Sequence, residues 1–388
     1  MPRARADNIE DLWADLPRLL NKAKDGAADA EARRWIGGDL ADDLLKAGAG
    51  RLLLDESQGG LGGTLVDWIR MGTELAAADG STGWVASHWA MASAVVAANG
   101  SDALVEEVFS NPKACVASSN LGRVDFSREN DGLRISGSWG FASGCLAATH
   151  VGGDLLLEDP NAAGGFRTIS VLTPRANASI SETWDPVGMA ASGSNQIVFD
   201  DVRIPASGIY DWPDSKPVKS RPRAFLGHGV WLITLSVAAV QLGLARAAID
   251  AVREELTGKI DKATGEPAIS KPATLRALEE AEGLLFSLRA GLERAAERLW
   301  AEGMRDGNPT AQARIETRLA SLTAVHQGTA IVRSVFDVAG ASAILRTGRL
   351  QRIFRDASCL IHHISSVRER FELVGMVRHD LAPLSYAI

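Results

Sequence analysis

The chain has 388 residues, 46% of them hydrophobic, and a net charge of −7 with Lys and Arg scattered rather than gathered. That composition supplies a large core, sets an expectation of two or three structural units at ~150 residues each, and argues against a nucleic-acid partner, which needs a basic stripe. No run approaches the ~20 apolar residues of a membrane span, and the basic stretch Met1–Asp7 lacks the apolar core of a secretory signal; Cys115, Cys145 and Cys359 read as buried thiols of a reducing cytoplasm.

From Asn8 to Ser110 the pattern is helical. Leu12, Leu16, Leu19 and Leu20 recur at helix spacing, and Glu31–Leu45 is a second amphipathic stretch. Thr64 can cap a helix running to Ala78. After the Asp79-Gly80 break, Ser81 can cap another, almost without polar residues, to Ala98. Between Lys113 and Tyr210 short runs at 114–120, 133–141, 150–157, 166–173 and 195–204 read as strands of a small antiparallel barrel or sandwich. Asp211–Arg223, with Pro213, Pro217 and Pro222, reads as a linker. Four long helices then follow, Val230–Leu256, Pro272–Ala301, Pro309–Val338 and Leu350–Gly375, the third started by Asn308-Pro309. The expected organisation is a helical domain (1–112), a β-domain (113–210), a linker (211–228) and a four-helix bundle (229–388), an α+β chain.

This order resembles the acyl-CoA dehydrogenase fold. Glu74–Trp84, the segment Gly137-Ser138-Trp139-Gly140-Phe141-Ala142-Ser143-Gly144, and Leu350-Gln351-Arg352 with Arg355-Asp356 and His363 resemble more narrowly the two-component, reduced-flavin-dependent monooxygenases, often called group D. Common acyl-CoA dehydrogenases place a catalytic glutamate eight residues after that aspartate; here the position is Ile364, next to His363. The resemblance implies an oxygenase component that takes reduced FMN or FAD from a separate NAD(P)H:flavin reductase. It implies reaction with O2 through a C4a-hydroperoxyflavin and hydroxylation of an aromatic or heteroaromatic small molecule, by a cytoplasmic homotetramer. The rival readings are an acyl-CoA dehydrogenase or flavin oxidase, whose base would be Glu279, Glu280 or Glu282, and a helical scaffold without flavin chemistry.

The resemblance assigns Ser143 to the flavin N5 edge, against the plain reading of a turn serine. Trp139 and Phe141 share strand parity and either wall the isoalloxazine or belong to the core. His363 is the candidate catalytic imidazole, as donor to a peroxide oxygen or base for a phenol, and His362 has a supporting place in the substrate pocket. His88 and Trp84 are the other pocket candidates, although Trp84, like Met71, Trp89 and Met91, reads first as packing. Relatives commonly carry a histidine later on this helix, where this chain has Ala90–Ala94. In the loop that meets the flavin, relatives often have an Arg and a Thr where this chain has Ala190 or Ala191 and Ser192; Ser192 and Ser194 keep hydroxyl donors there. Gly340 and Ser342 lie in the small-residue turn that meets the flavin phosphate end across a subunit boundary in the superfamily. Arg355-Asp356 is expected as a structural ion pair, Cys359 as a core thiol, Gly59–Gly63 as a loop without catalytic role, and no metal site is expected.

Overall fold

The computed structural model describes residues 6–160, 165–212, 221–227 and 230–384. The proline-rich part of the expected linker, 213–220, lies outside the described residues. Five helices come first: α1 Ile9–Arg33, α2 Gly38–Lys46, α3 Leu65–Ala78, α4 Gly80–Asn99 and α5 Asp102–Phe109. Thr64 and Asp67 form a reciprocal capping box at the start of α3. Asp79, not Ser81, caps α4, accepting from the Thr82 N–H. Seventeen of the 20 residues of α4 are buried, as its lack of a polar face requires. It packs on α3 so closely that a Cβ on Gly83 would stand 2.6 Å from Ala76.

Among the described residues eight strands follow: β1 Val116–Ser119, β2 Leu121–Glu129, β3 Gly132–Ala142, β4 His150–Glu158, β5 Phe166–Pro174, β6 Ser179–Ser181, β7 Asn195–Pro205 and β8 Ile209–Asp211. They form two four-stranded sheets, ordered β1-β4-β5-β8 and β2-β3-β7-β6. The first is not wholly antiparallel, because β1 runs parallel to β4.

Among the described residues the C-terminal part has five helices rather than four: α6 Trp231–Gly258, α7 Pro272–Asp306, α8 Ala311–Val338, α9 Arg349–Leu360 and α10 Glu369–Arg378. By length and composition α6 is apolar enough to cross a membrane, but 89% of its most apolar window is buried against protein, so it is the core helix of the bundle. Thr310 caps α8, two residues beyond the expected cap Asn308, and Glu302 holds the Thr310 hydroxyl and N–H. The expected last helix breaks after Leu360. His-His-Ile-Ser-Ser-Val is a run of weak helix formers whose serines compete for backbone groups. Tight turns take over, with the His363 N–H on Leu360 O and the Ser366 N–H on His363 O. His362 and His363 therefore sit on a turn, not on a helix face.

Candidate active site

A cavity of about 510 Å³ opens between α4, the β-domain, α6 and the turn after α9. Trp84, His88, Met91, Ala92 and Val95 line one side of it, spaced as a single face of α4. Phe141, Ser143, Trp184, Ser192, Ser194, His362, His363 and Ile364 also line it. The cavity brings together most of the residues singled out from sequence.

Trp84 is the hub of one end. Its indole Nε1–H donates to Ser143 Oγ at 2.9 Å. Ser143 Oγ lies 2.8 Å from Ser194 Oγ, which lies 2.7 Å from Ser192 Oγ, and all three serines are buried. Each hydroxyl has one hydrogen to give. If the chain runs from Ser192 toward Ser143, the Ser143 hydrogen is free to donate to a ligand. His88 stacks on Trp84 at a 4.2 Å ring separation, and His363 meets the same ring edge-on at 5.5 Å.

The hydrogen bonds of His363 fix its tautomer. Nδ1 accepts from the Ser365 backbone N–H at 3.2 Å and lies 2.7 Å from Ser365 Oγ, so the neutral ring carries its proton on Nε2. Burial, reinforced by the positive Arg318, lowers His363 to about 4. It is therefore neutral at pH 7 and presents a donor, which favours the donor role over the base role. Arg318 itself is 3% exposed, its Nε and Nη1 have no partner, and burial lowers it to about 10. Burial holds His88 at about 3, and its Nδ1 is a buried atom without a partner.

Phe141 and Trp139 part company. A register shift between Trp139 and Ala142 breaks strand alternation, and Phe141 takes a left-handed backbone, φ 58°. Phe141 is thrown out to the cavity mouth, 60% exposed, and packs edge-on against Trp184 at 5.4 Å. Trp139 stays in the core at 1% exposure, edge-on to Phe199, and does not line the cavity. Gly340 and Ser342 are not brought to the cavity of this chain either. Ser342 Oγ donates to Glu255 and accepts from Lys259 Nζ.

Three further expectations are corrected. Arg355 and Asp356 do not pair with each other. Arg355 binds Glu31 and the Val187 carbonyl, while Asp356 accepts from the Met189 N–H at 2.5 Å. Together they clamp the loop of Trp184 and Ser192 onto α9, so tightly that a Cβ on Gly188 would lie 2.5 Å from Arg355 O. Cys359 is half-buried at the cavity wall, and Met91, which read as packing, is buried but lines the cavity too. Met71 and Trp89 are in the core. The glutamates of the rival reading are elsewhere: Glu279 and Glu280 are exposed on α7, and Glu282 is held by Arg246 and Arg253, which lower it to about 2. Ile364 does line the cavity, and among the described lining residues the one carboxylate is Asp154. Sequence reasoning missed Asp154, Tyr210, Trp212 and Arg318. For Asp154 the one sequence signal is a charge inside an apolar run, the strand His150-Val-Gly-Gly-Asp-Leu-Leu-Leu.

The comparisons with known proteins agree with this architecture. Residues 18–111 match the model of the acyl-CoA dehydrogenase N-terminal domain, and residues 235–367 that of the acyl-CoA dehydrogenase C-terminal domain. The chain belongs to the acyl-CoA dehydrogenase superfamily. Within it, the chain is most like the oxygenase components of flavin-dependent two-component monooxygenases. It is 29% identical to an indole-3-acetate monooxygenase of Pseudomonas putida over 94% of this chain and 93% of that one. It is 27% identical to the oxygenase component of an FADH2-dependent resorcinol hydroxylase of Rhizobium sp., covering 79% and 78% of the two chains. In fold it matches a 3-HSA hydroxylase from Rhodococcus sp. RHA1 with a TM-score of 0.85 at 23% identity, over 99% of both chains.

Proposed function

We propose that this chain is the oxygenase component of a two-component flavin-dependent monooxygenase that hydroxylates an aromatic or heteroaromatic small molecule. One observation carries the reading. Trp84, Ser143 and a neutral His363 converge at one end of a mostly apolar cavity, and Ile364 stands there in place of a proton-abstracting carboxylate. A dehydrogenase needs that base; an oxygenase needs donors and the exclusion of water.

The residues fit a flavin. Phe141 and Trp184 give a partly exposed apolar wall for a flat ring, and Ser143 places a hydroxyl beside them. Reduced FMN or FAD, when bound, supplies two electrons to O2, so that one oxygen atom enters the substrate and the other leaves as water. Ser143, its acceptor side already engaged by Trp84, would have its hydrogen free to donate to a bound flavin. Ser192 and Ser194 set the polarity of that hydroxyl chain. His363 keeps its proton on Nε2, with Ser365 holding the ring, and that N–H would be available as a donor beside a bound flavin. His88, Trp84 and His362 shape the substrate side. The printed names of the relatives, an indole-3-acetate monooxygenase and an FADH2-dependent resorcinol hydroxylase, support the reaction class and the reduced cofactor. A separate NAD(P)H:flavin reductase, and the cytoplasm where that reductant is found, follow from the same reading. A homotetramer would bring Gly340 and Ser342 to a neighbouring subunit's flavin.

The test is to mix the protein with reduced flavin, O2 and an aromatic panel, with no reductase present, and to measure hydroxylated product and hydrogen peroxide. Product in a single turnover supports the reading. A tight yellow FAD complex bleached by an acyl-CoA in the absence of O2 would replace it with the dehydrogenase reading.

A further inference from the structure

The end of the cavity away from His363 carries chemistry that hydroxylation does not use. Along α4 the lining residues run from Trp84 to Val95, about 16 Å at 1.5 Å per residue. Near the Val95 end the wall is the sheet β1-β4-β5-β8. Asp154 on β4 stands directly opposite Ser170 on β5, and Ser170 directly opposite Tyr210 on β8. Directly paired residues share a sheet face, so the three side chains form one row, and all three line the cavity. Tyr210 packs in a cluster with Ala92 and Val96, which sets this row at the far end of α4. Trp212, two residues on, lines the same end with its indole N–H buried and without a partner.

We infer that this row is an amine subsite: the cavity takes an aromatic substrate whose ring points toward Trp84 and His363 and whose side chain carries a basic amine that pairs with Asp154. The inference rests on the monooxygenase reading for where the ring reacts. Asp154 has one hydrogen bond, from Ser170 Oγ at 2.6 Å, and no Lys or Arg pairs with it among the described residues. A carboxylate in such a place leaves most of its acceptor capacity unused. Its burial raises it to about 6, so it is ionised above neutral pH and gains from a cation that arrives with the ligand. Tyr210 and Trp212 supply the aromatic faces that an ammonium group favours. Among the described residues the rest of the lining holds no Lys or Arg either. Among the described lining residues an arylacetate would meet no counter-charge and one like charge, Asp154, so the acid that names one relative is expected to bind less well than an amine.

The experiment measures equilibrium binding to the full-length protein, without flavin or turnover, by calorimetry at about pH 8. The probes are tryptamine, indole and indole-3-acetate, which share a ring and differ in the charge of the side arm. Tryptamine should bind at least about tenfold more tightly than indole-3-acetate, the worth of one charge-assisted hydrogen bond. Asp154→Asn, nearly isosteric, should weaken tryptamine about tenfold and indole by less than about threefold. Equal or tighter binding of indole-3-acetate overturns the inference. So does an unchanged tryptamine affinity in D154N, or no detectable tryptamine binding. The wild-type comparison stands even if the variant misfolds. Reduced-flavin binding and peroxide formation, measured separately, report on the monooxygenase reading: their absence removes that reading and leaves the amine preference in place, whereas hydroxylation without amine preference removes only the subsite.

Discussion

At the scale of single residues, the site turns on where one proton sits. Two contacts from Ser365 hold Nδ1 of His363 as an acceptor, and burial keeps the ring neutral. Because His363 stays near 4, the ratio of product to peroxide should be flat between about pH 6 and pH 8 on its account. A ratio that fell as pH rose through about 6.5, the ordinary histidine value, would show that the charged ring is required. His363→Ala should lower product per reduced flavin by about tenfold or more, with peroxide rising to match. Ser143→Ala should move the same ratio the same way, leaving the Trp84 N–H without its acceptor. The identities of His363, Ser143 and His88 were legible because each stands in a recognisable motif or interrupts an apolar run. The tautomer was not, since it depends on a turn at Ser365 that appears only once the helix breaks. Trp139 and Phe141 were legible as a pair but not as opposites, because the bulge between them has no sequence mark of its own.

Among the elements, the clamp between α9 and the loop at Val187–Met189 carries the most weight. Gly188→Ala would drive a Cβ into the Arg355 carbonyl and should cost about 1–3 kcal/mol, with weaker flavin binding, readable as a lower Tm and a higher Kd. Asp356 in that clamp is fully buried, and burial raises it to about 7. A raised carboxyl stabilises the fold fully below its unfolded value near 3.9 and loses that contribution as pH rises through about 7. His88 and His363 are lowered to about 3 and about 4, so their contribution is present above about 6.5 and lost as pH falls. The two trends oppose each other, and a difference between variants separates them. Asp356→Asn should gain on wild type by on the order of 2 kcal/mol between about pH 5 and pH 8, as read from denaturant midpoints at each pH. A constant difference would mean that Asp356 does not titrate in this range. Helices α1, α3, α4 and α6–α8 were legible from apolar periodicity and capping. Strand β2, Leu121–Glu129, was missed because it is largely exposed and carries Arg123, Asp125, Arg128 and Glu129, so no buried face imposes an alternation.

Over the whole molecule, exposed apolar side chains mark where surface is left to be covered. Phe286 is 77% and Leu275 45% exposed, eleven residues apart and so on one face of α7, and Ile344 and Leu345 are exposed beside Gly340 and Ser342. These patches are where the proposed tetramer would bury area. Phe286→Glu should lower the mass seen by light scattering without lowering helix content; an unchanged mass would place the contacts elsewhere. The order of helical, strand and bundle segments was readable from the changing period of apolar residues, whereas the parallel β1–β4 pairing was not, because parallel and antiparallel partners read alike in a short apolar strand.

One consequence follows from α4 alone. Trp84, His88, Met91, Ala92 and Val95 belong to a single continuous, largely buried helix, so the two ends of the chamber cannot drift apart or together. The helix acts as a ruler, and ligand length becomes a selectable property in its own right. Homologous compounds lengthened one methylene at a time should peak sharply at one arm length, and trimming Met91 should move that optimum by a carbon rather than broaden it.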